Sequence, residues 1–340
     1  MLVIERLHYD PDAWEAIVSG YPEAEVFHGA AWLDFLARSQ GAEPVVATVR
    51  DQERVVGHFV GGIVRRFGIR ILGSPLRGWG TQSMGFLLQD GVDRRAAAAA
   101  LIPFAFDSLD CHHVELVDRR LGADEMARSG YVMERGETYV VDLARPEEEI
   151  LRAMRRTTRQ EIRKAIRAGL VVEPAADRAF ADEFYGYLTA VFARQGKSPT
   201  YGVDRVRHLI AAVHPSGQLL LLRVRTAAGR TVGTALVVGR NETAVAWGMA
   251  FDRANQEVHA VELMWLETMR YWGAHGAIRF DMGGGGGYKA KYGGAVVELV
   301  RGHRSRYRAL RLGRAILREF VSVRQIMRGR VVNPRNLLRP

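Results

Sequence analysis

Residues Phe280 to Gly294, FDMGGGGGYKAKYGG, place an acidic strand end, five consecutive glycines and a basic aromatic segment within fifteen positions. Glycine runs of this kind can cradle phosphates, so that chemistry is tested first. A Walker-type loop requires Gly-Lys followed by Ser or Thr and then a helix. Here Lys289 is followed by Ala290, and VVELV after Gly294 reads as a strand. A dinucleotide fingerprint needs a glycine where Tyr288 stands, and again a helix beyond it. Both phosphate readings fail. A flexible linker remains open, although two apolar strands flank the run. The better expectation is that Gly283, Gly284 and Gly285 allow close approach of backbone to a ligand at the end of the strand AIRFDM.

The elements that position this loop repeat along the chain. At an offset of 176, VATVRDQERVVGHFVGGIV from Val46 lies on LRVRTAAGRTVGTALVVGR from Leu222. Each copy reads as a strand, a polar turn and an Arg-x-Val-Gly step into a second strand. RGWG at Arg77 to Gly80 answers AWG at Ala246 to Gly248, each close to a third strand. A helix follows in each copy, DRRAAAAALIPFAFDSL and EVHAVELMWLETMRYWGAHG, then a short strand, HHVELV or AIRFDM. The unit is β-β-β-α-β, the skeleton of an acetyltransferase-type domain. The expected fold is α+β: two tandem GNAT-like domains, each a mixed, mostly antiparallel sheet with flanking helices. The expected boundaries are 1–146, 147–300 carrying the glycine loop, and 301–340 as a basic amphipathic helix and tail. Helices are expected near Asp177 to Gln195 and Val203 to His214, and an amphipathic one over Arg306 to Met327.

Of the net charge of +10, residues 301–340 contribute twelve arginines against Glu319 alone. The preceding 300 residues therefore nearly cancel. Leu151 to Gly169 forms a second basic patch, with seven Lys or Arg against one Glu. Such segments suit nucleic acid or an anionic lipid surface, or are simply solvated. The one cysteine, Cys111, excludes an internal disulfide framework and reads as a buried thiol. Neither a secretory signal nor an apolar run of the roughly 18 to 20 residues needed to cross a bilayer is seen, so a cytoplasmic protein is expected, with at most peripheral membrane contact. His112 and His113 are adjacent on a strand and point to opposite faces, so no metal pair is expected.

The succession AMRRTTRQEIRKAIRAG, GTALVV, HAVELMWLETMRYWGAHGAIRFDMGG and YKAKYGG resembles the second half of the Fem-type transferases. FHGAAWLDFLARSQGAEPVVATV, Phe27 to Val49, resembles their first half. The resemblance extends to about residue 300 and is similarly close to the broad GNAT-like acyltransferases. It implies two GNAT-like domains with a substrate cleft, and, in the Fem branch, aminoacyl-tRNA as donor and an amine as acceptor, classically on a peptidoglycan precursor. Lys289 falls on the family's aromatic-Lys position and is the expected oxyanion-stabilising cation. Tyr288 is expected to stack on an adenine or line the donor site. Asp281 is expected to orient the amine or accept its proton, or to cap the glycine turn.

His259 and Glu262 are further candidates facing the cleft, His259 with a structural alternative. Trp247 and Trp32 are expected to bind substrate, and Trp79 and Arg77 to line the acceptor site, Trp79 with the alternative of filling the core. Arg155, Arg156, Arg159, Arg163, Lys164, Lys291, Arg304, Arg306, Arg308 and Arg311 are the expected RNA contacts. A CoA-dependent enzyme of this fold would carry Arg/Gln-x-x-Gly-x-Gly/Ala before its central helix. QEVHAV has His259 and Val261 at those glycines, which tilts the donor towards tRNA. Asp34 stands where a Fem-type acceptor site would place a basic residue, so a small molecule or peptide amine competes with a cell-wall precursor as acceptor. Three functions follow: an aminoacyl-tRNA-dependent amide-forming transferase, an acyl-CoA-dependent N-acyltransferase, or a non-catalytic GNAT-like module binding RNA or membrane. No tightly bound cofactor or metal is expected in any of them.

Overall fold

A computed structural model describes residues 1–252 and 257–307. In chain order the first half comprises β1 (Leu2–Arg6), α1 (Pro11–Ser19), α2 (Ala30–Gln40), β2 (Glu43–Asp51), β3 (Arg54–Arg66), β4 (Ile69–Ser74), β5 (Gly85–Leu88), α3 (Arg94–Pro103), β6 (His113–Leu116), α4 (Ala123–Arg128) and β7 (Val132–Asp142). The second comprises α5 (Glu147–Ala153), α6 (Arg156–Arg167), β8 (Val171–Pro174), α7 (Phe180–Ala193), α8 (Val203–Val213), β9 (Leu219–Arg225), β10 (Thr231–Arg240), β11 (Thr243–Phe251), α9 (Ala260–Ala274), β12 (Arg279–Asp281) and β13 (Ala295–Ser305). The expected repeat is present, with β2 and β3 answering β9 and β10. Its RGWG and AWG correspondence does not hold: Arg77–Gly80 lie in the loop after β4, whereas Ala246–Gly248 lie inside β11.

All thirteen strands form one sheet, ordered β1-β2-β3-β4-β6-β13-β7-β12-β11-β10-β9-β8, with β5 pairing β3 off this path. The halves exchange their last strands. β7, from the first half, pairs β12, and β13, from the second, pairs β6; between them β7 and β13 pair antiparallel from Ala295↔Val140 to His303↔Val132. The boundary at 146/147 coincides with the start of α5 in chain order but does not divide the sheet. Residues 301–305 are not the start of a separate tail, because they complete the ladder on β6. The rest of the expected C-terminal helix, with Arg308 and Arg311, lies outside the described residues.

Alternation along the strands decides what packs where. On β10, Ala235 and Val237 enter one apolar cluster with α9, while Leu236 and Val238 enter another with α7 and α8. The second cluster is shared: Trp14, Trp32, Phe35 and Trp79 of the first half pack with Phe180, Phe184, Val206 and Leu209. On the opposite face two clusters form, and each takes in an exchanged strand: Tyr139 and Val141 of β7 join the α9 cluster, and Val300 of β13 joins the α3 cluster. The shared cluster and the exchanged strands together hold the halves in one orientation.

Candidate active site

β11 and β12 pair in parallel only from Thr243↔Arg279 to Val245↔Asp281. β11 continues to Phe251 while β12 stops, so the edge of β11 beyond Val245 has no strand partner among the described residues and a wedge opens between them. In the first half, β4 and β6 end together at Ser74↔Leu116, and Leu76 and Trp79 fill the space beyond. An open wedge therefore exists in the second half and has no counterpart in the first. The register of β11 against β10 shifts beside the wedge, where Leu236 faces Gly248 and Val237 faces Ala246. Trp247 is the extra residue, and such a bulge re-aims a side chain.

The glycine run begins at the mouth of the wedge. Gly283 has φ +76°, and a Cβ there would lie 2.6 Å from the carbonyl oxygen of Ala246, so the loop lies directly on β11. Lys289, on a 3₁₀ turn over Gly287–Tyr292, folds back over this loop. Its Nζ donates to the carbonyl oxygens of Met282 (2.9 Å), Gly283 and Gly284 (3.1 Å). An ammonium has three protons, and all three are engaged. The expected oxyanion-binding cation is thus, in this arrangement, the clamp of the glycine loop. Burial pulls its pKa below the ordinary lysine value, with the charge of Asp281 opposing.

Asp281 is 1% exposed. It accepts hydrogen bonds from Thr138 Oγ1, the Gly283 N–H (2.9 Å) and Arg119 Nη1 (2.9 Å). With its nitrogen turned to the carboxylate, the Gln82 amide adds donations at 2.8 and 3.3 Å. Both oxygens are occupied, so the expected proton acceptor instead fixes the strand end and the glycine turn. Arg119 also reaches Glu25 at 3.0 Å, joining the two halves behind the wedge. Burial works against the Arg119 charge, but Glu25 and Asp281 outweigh it and raise its pKa.

A cavity of about 410 Å³ adjoins the wedge at the N-terminus of α9, lined by Asp252, His259, Glu262, Trp265, Tyr288 and Tyr292. Tyr288 is 59% exposed at its rim, and His259 precedes α9 with φ +57°. Glu161, His259 and Glu262 bring ligating atoms within 4.8 Å of one another, but Lys291 lies at 2.7 Å from Glu262 and 3.7 Å from Glu161. The protein's own cation balances one of the two carboxylates and leaves the cluster acidic.

Three expected substrate contacts are placed elsewhere. Trp32 and Trp79 are 0% and 1% exposed in the shared core, where their area is worth more than as a ligand surface. Arg77 points to the surface and pairs with Glu134 at 2.5 Å. Trp32 Nε1 donates to Thr81 Oγ1 at 3.0 Å. Trp32→Phe should cost about 1 kcal/mol in denaturant unfolding and leave the KM of both substrates unchanged; a selective rise in KM would return Trp32 to the site.

Trp247 packs beside a residue that sequence reasoning missed. Arg205, on α8, lies over the rings of Phe35, Tyr201 and Trp247 at 6.0, 5.1 and 5.9 Å. Its Nε and Nη2, and Trp247 Nε1, are buried without a hydrogen-bond partner among the described residues. They converge on Gly80, where a Cβ would lie 2.8 Å from Trp247 Nε1 and 3.0 Å from Arg205 Nη2. Burial lowers the Arg205 pKa. The available signal was its place one helical turn before Leu209, at the rim of the apolar face.

Of the expected RNA contacts, Arg155, Arg156, Arg163 and Lys164 are exposed along α6, which packs on α9 beside the cavity. Arg159 is not free: its Nη1 caps the carbonyls of Leu151, Arg152 and Met154 where α5 breaks into α6. Lys291 is held by its two glutamates, Arg304 by the Gly130 carbonyl, and Arg306 by the Phe106 carbonyl with Asp107 and Asp110.

Residues 152–292 match the family described as acetyltransferase (GNAT) domain. No curated protein matches the sequence. Among solved structures the chain is similar to the crystal structure of FemX, at 14% identity over 87% of this chain and 96% of that one, with a TM-score of 0.70. It is also similar to L-PGS from Bacillus licheniformis, at 12% identity over 92% and 97%, TM-score 0.56. A tandem GNAT protein from the clavulanic acid biosynthesis pathway aligns at 14% identity over 90% and 98%, TM-score 0.54. At these identities the structural likeness speaks for the fold, and the family match speaks for the domain that holds the wedge. Residues 152–292 thus match an acetyltransferase (GNAT) domain, and the whole chain shares the fold of these structures.

Proposed function

We propose that this chain transfers an aminoacyl group from aminoacyl-tRNA to the amine of an anionic acceptor, forming an amide. The observation that carries the reading is the charge at the start of α9. A CoA donor would set its pyrophosphate against the first-turn N–H groups of this helix. Asp252 and Glu262 line the cavity there, Glu161 stands across it, and the nearby cation Lys291 is already paired. A pyrophosphate would meet carboxylates. An aminoacyl ester on a terminal ribose needs no pyrophosphate at this place, and the exposed arginines of α6 flank it for the RNA backbone.

In this reading the acyl carbonyl enters the wedge beside the unpaired edge of β11. The acceptor amine attacks it, the carbon–oxygen bond to the ribose breaks, and the proton lost by the amine is gained by the leaving hydroxyl. Arg205 and Trp247 supply unpartnered donors for a carboxylate or phosphate of the acceptor. A small molecule, a peptide and a cell-wall precursor each meet that requirement.

Transfer of a labelled amino acid from charged tRNA, abolished by RNase, tests the donor. RNase-insensitive transfer, with saturable acyl-CoA binding, would sink it in favour of an acyl-CoA-dependent N-acyltransferase, which the cavity volume and the matched family favour as second reading. Arg205→Lys keeps the charge but loses the planar fork, and should raise the acceptor KM about tenfold while kcat stays within about twofold. An unchanged KM in steady-state kinetics would remove Arg205 from the acceptor site.

A further inference from the structure

The β3–β4 hairpin ends in the two-residue turn Phe67-Gly68, with φ of +50° and +75°. Positive φ at both positions is the type I′ geometry, which favours Asn-Gly and strains a bulky residue in the first place. Phe67 is 99% exposed, so no packing among the described residues compensates the strain. Arg65 and Arg66 flank it and are exposed as well.

The strands beside this hairpin bring further groups to the same end of the sheet. The carbonyl of Arg70 accepts the His112 N–H at 2.8 Å, and the carbonyl of His112 accepts the Arg306 N–H at 2.9 Å. His303 on β13 then pairs with Val132, the first residue of β7. Four adjacent strands thus align Phe67, Tyr307 and Val132 along one edge, with exposures of 99%, 52% and 43%. Arg304 and Arg306 stand among them; Asp107 and Asp110 lie 3.7 and 3.9 Å from Arg306 and offset its charge. The sequence beyond Tyr307, which leaves from this edge, carries nine arginines and one glutamate.

We infer that this edge is a docking surface for an anionic lipid bilayer, with Phe67 entering the headgroup–acyl boundary and Arg65 and Arg66 meeting lipid phosphates. An RNA would use the arginines and could stack on Phe67. It has no use for Val132, which offers neither a ring face nor a donor. The bilayer boundary takes aromatic and aliphatic side chains together with basic ones. The hairpin belongs to the first half, away from α6, so the inference does not depend on the donor.

The turn geometry supplies a clean test. Phe67→Asn places the preferred residue in the turn, so the variant should melt at or above the wild-type temperature while losing its apolar anchor. In cosedimentation of the full chain, wild type should bind vesicles of phosphatidylcholine with phosphatidylglycerol and not phosphatidylcholine alone. Phe67→Asn should lower the partition coefficient about fivefold, and Arg65→Gln with Arg66→Gln by roughly fivefold per arginine. Phe67→Cys carrying an environment-sensitive dye should shift to the blue on those vesicles; Cys111 is the one native cysteine and is buried. The inference is overturned if wild type ignores anionic vesicles, or if the variants bind them as wild type does. It is equally overturned if Phe67→Asn loses RNA affinity while vesicle binding stays intact.

Discussion

Lys289→Met should lower kcat by about 10²- to 10³-fold and raise the donor KM as well. Three carbonyl oxygens, from Met282, Gly283 and Gly284, converge on one ammonium. Without it they face one another with no donor, and the loop can no longer rest on Ala246. Because that contact borders the wedge, the acyl group loses its register with the edge of β11, and a small misplacement of reacting atoms is expensive. A cation acting on the oxyanion alone would lower kcat with the donor KM unchanged, a loss of comparable size. The split between kcat and KM distinguishes the two roles.

The same residue sets an expectation for pH. Burial lowers its pKa, and the three bonds to carbonyls need the charged form. Wild-type activity should therefore fall as pH rises through this lowered pKa, starting below the ordinary lysine range. In Lys289→Met this limb should be absent. A pH–rate profile with the alkaline limb retained in the variant would assign it to another group.

Arg119→Met should destabilise the protein by about 3–5 kcal/mol, roughly 4–7 °C in Tm for a chain of this size. Arg119 holds Glu25 at 3.0 Å and Asp281 at 2.9 Å, with side-chain exposures of 17%, 10% and 1%. Removing the cation leaves two carboxylates facing each other out of water. Their separate links to Ser83, Thr138 and Gly283 remain, but none supplies positive charge. Asp281→Asn in the Arg119→Met background should recover part of the loss, because an amide carries no charge to be compensated. Denaturant unfolding of the two single variants and the double variant measures this coupling. A loss under about 1 kcal/mol for Arg119→Met would mean that water reaches the pair.

Much of the architecture was legible because it is local. Strand alternation, the polar turns and the acidic start of α5 are set by neighbours a few residues away, and they recur at one offset. The exchange of β7 and β13 was not legible. Each strand carries the alternation that any half-buried strand would carry, and nothing in that pattern says which half it joins. The boundary read at residue 146 falls where α5 begins, and it does not divide the sheet.

The site divides in the same way. Three tryptophans were nominated for it on residue type, yet Trp32 and Trp79 are core, and Trp247, the extra residue of a one-residue bulge, packs against Arg205. Ten basic residues were nominated for RNA, and the fold engages Arg159, Lys291, Arg304 and Arg306 with its own carbonyls and carboxylates. Composition counts charges but does not show which are already paired.

The sequence by itself determined the repeated strand and helix units, the position of the glycine loop between two strands, and the concentration of positive charge in two segments. The tertiary structure decided that a wedge stands open in the second half and is plugged in the first, that Lys289 clamps the loop, and that Arg205 lies beside Trp247 and Gly80 with two nitrogens lacking a hydrogen-bond partner among the described residues. The reason is physical. Periodicity and turn chemistry act over a few residues, whereas strand partners, desolvation and ion pairing join distant groups, such as Arg119 and Asp281, 162 positions apart, or Glu15 and Arg240, 225 apart.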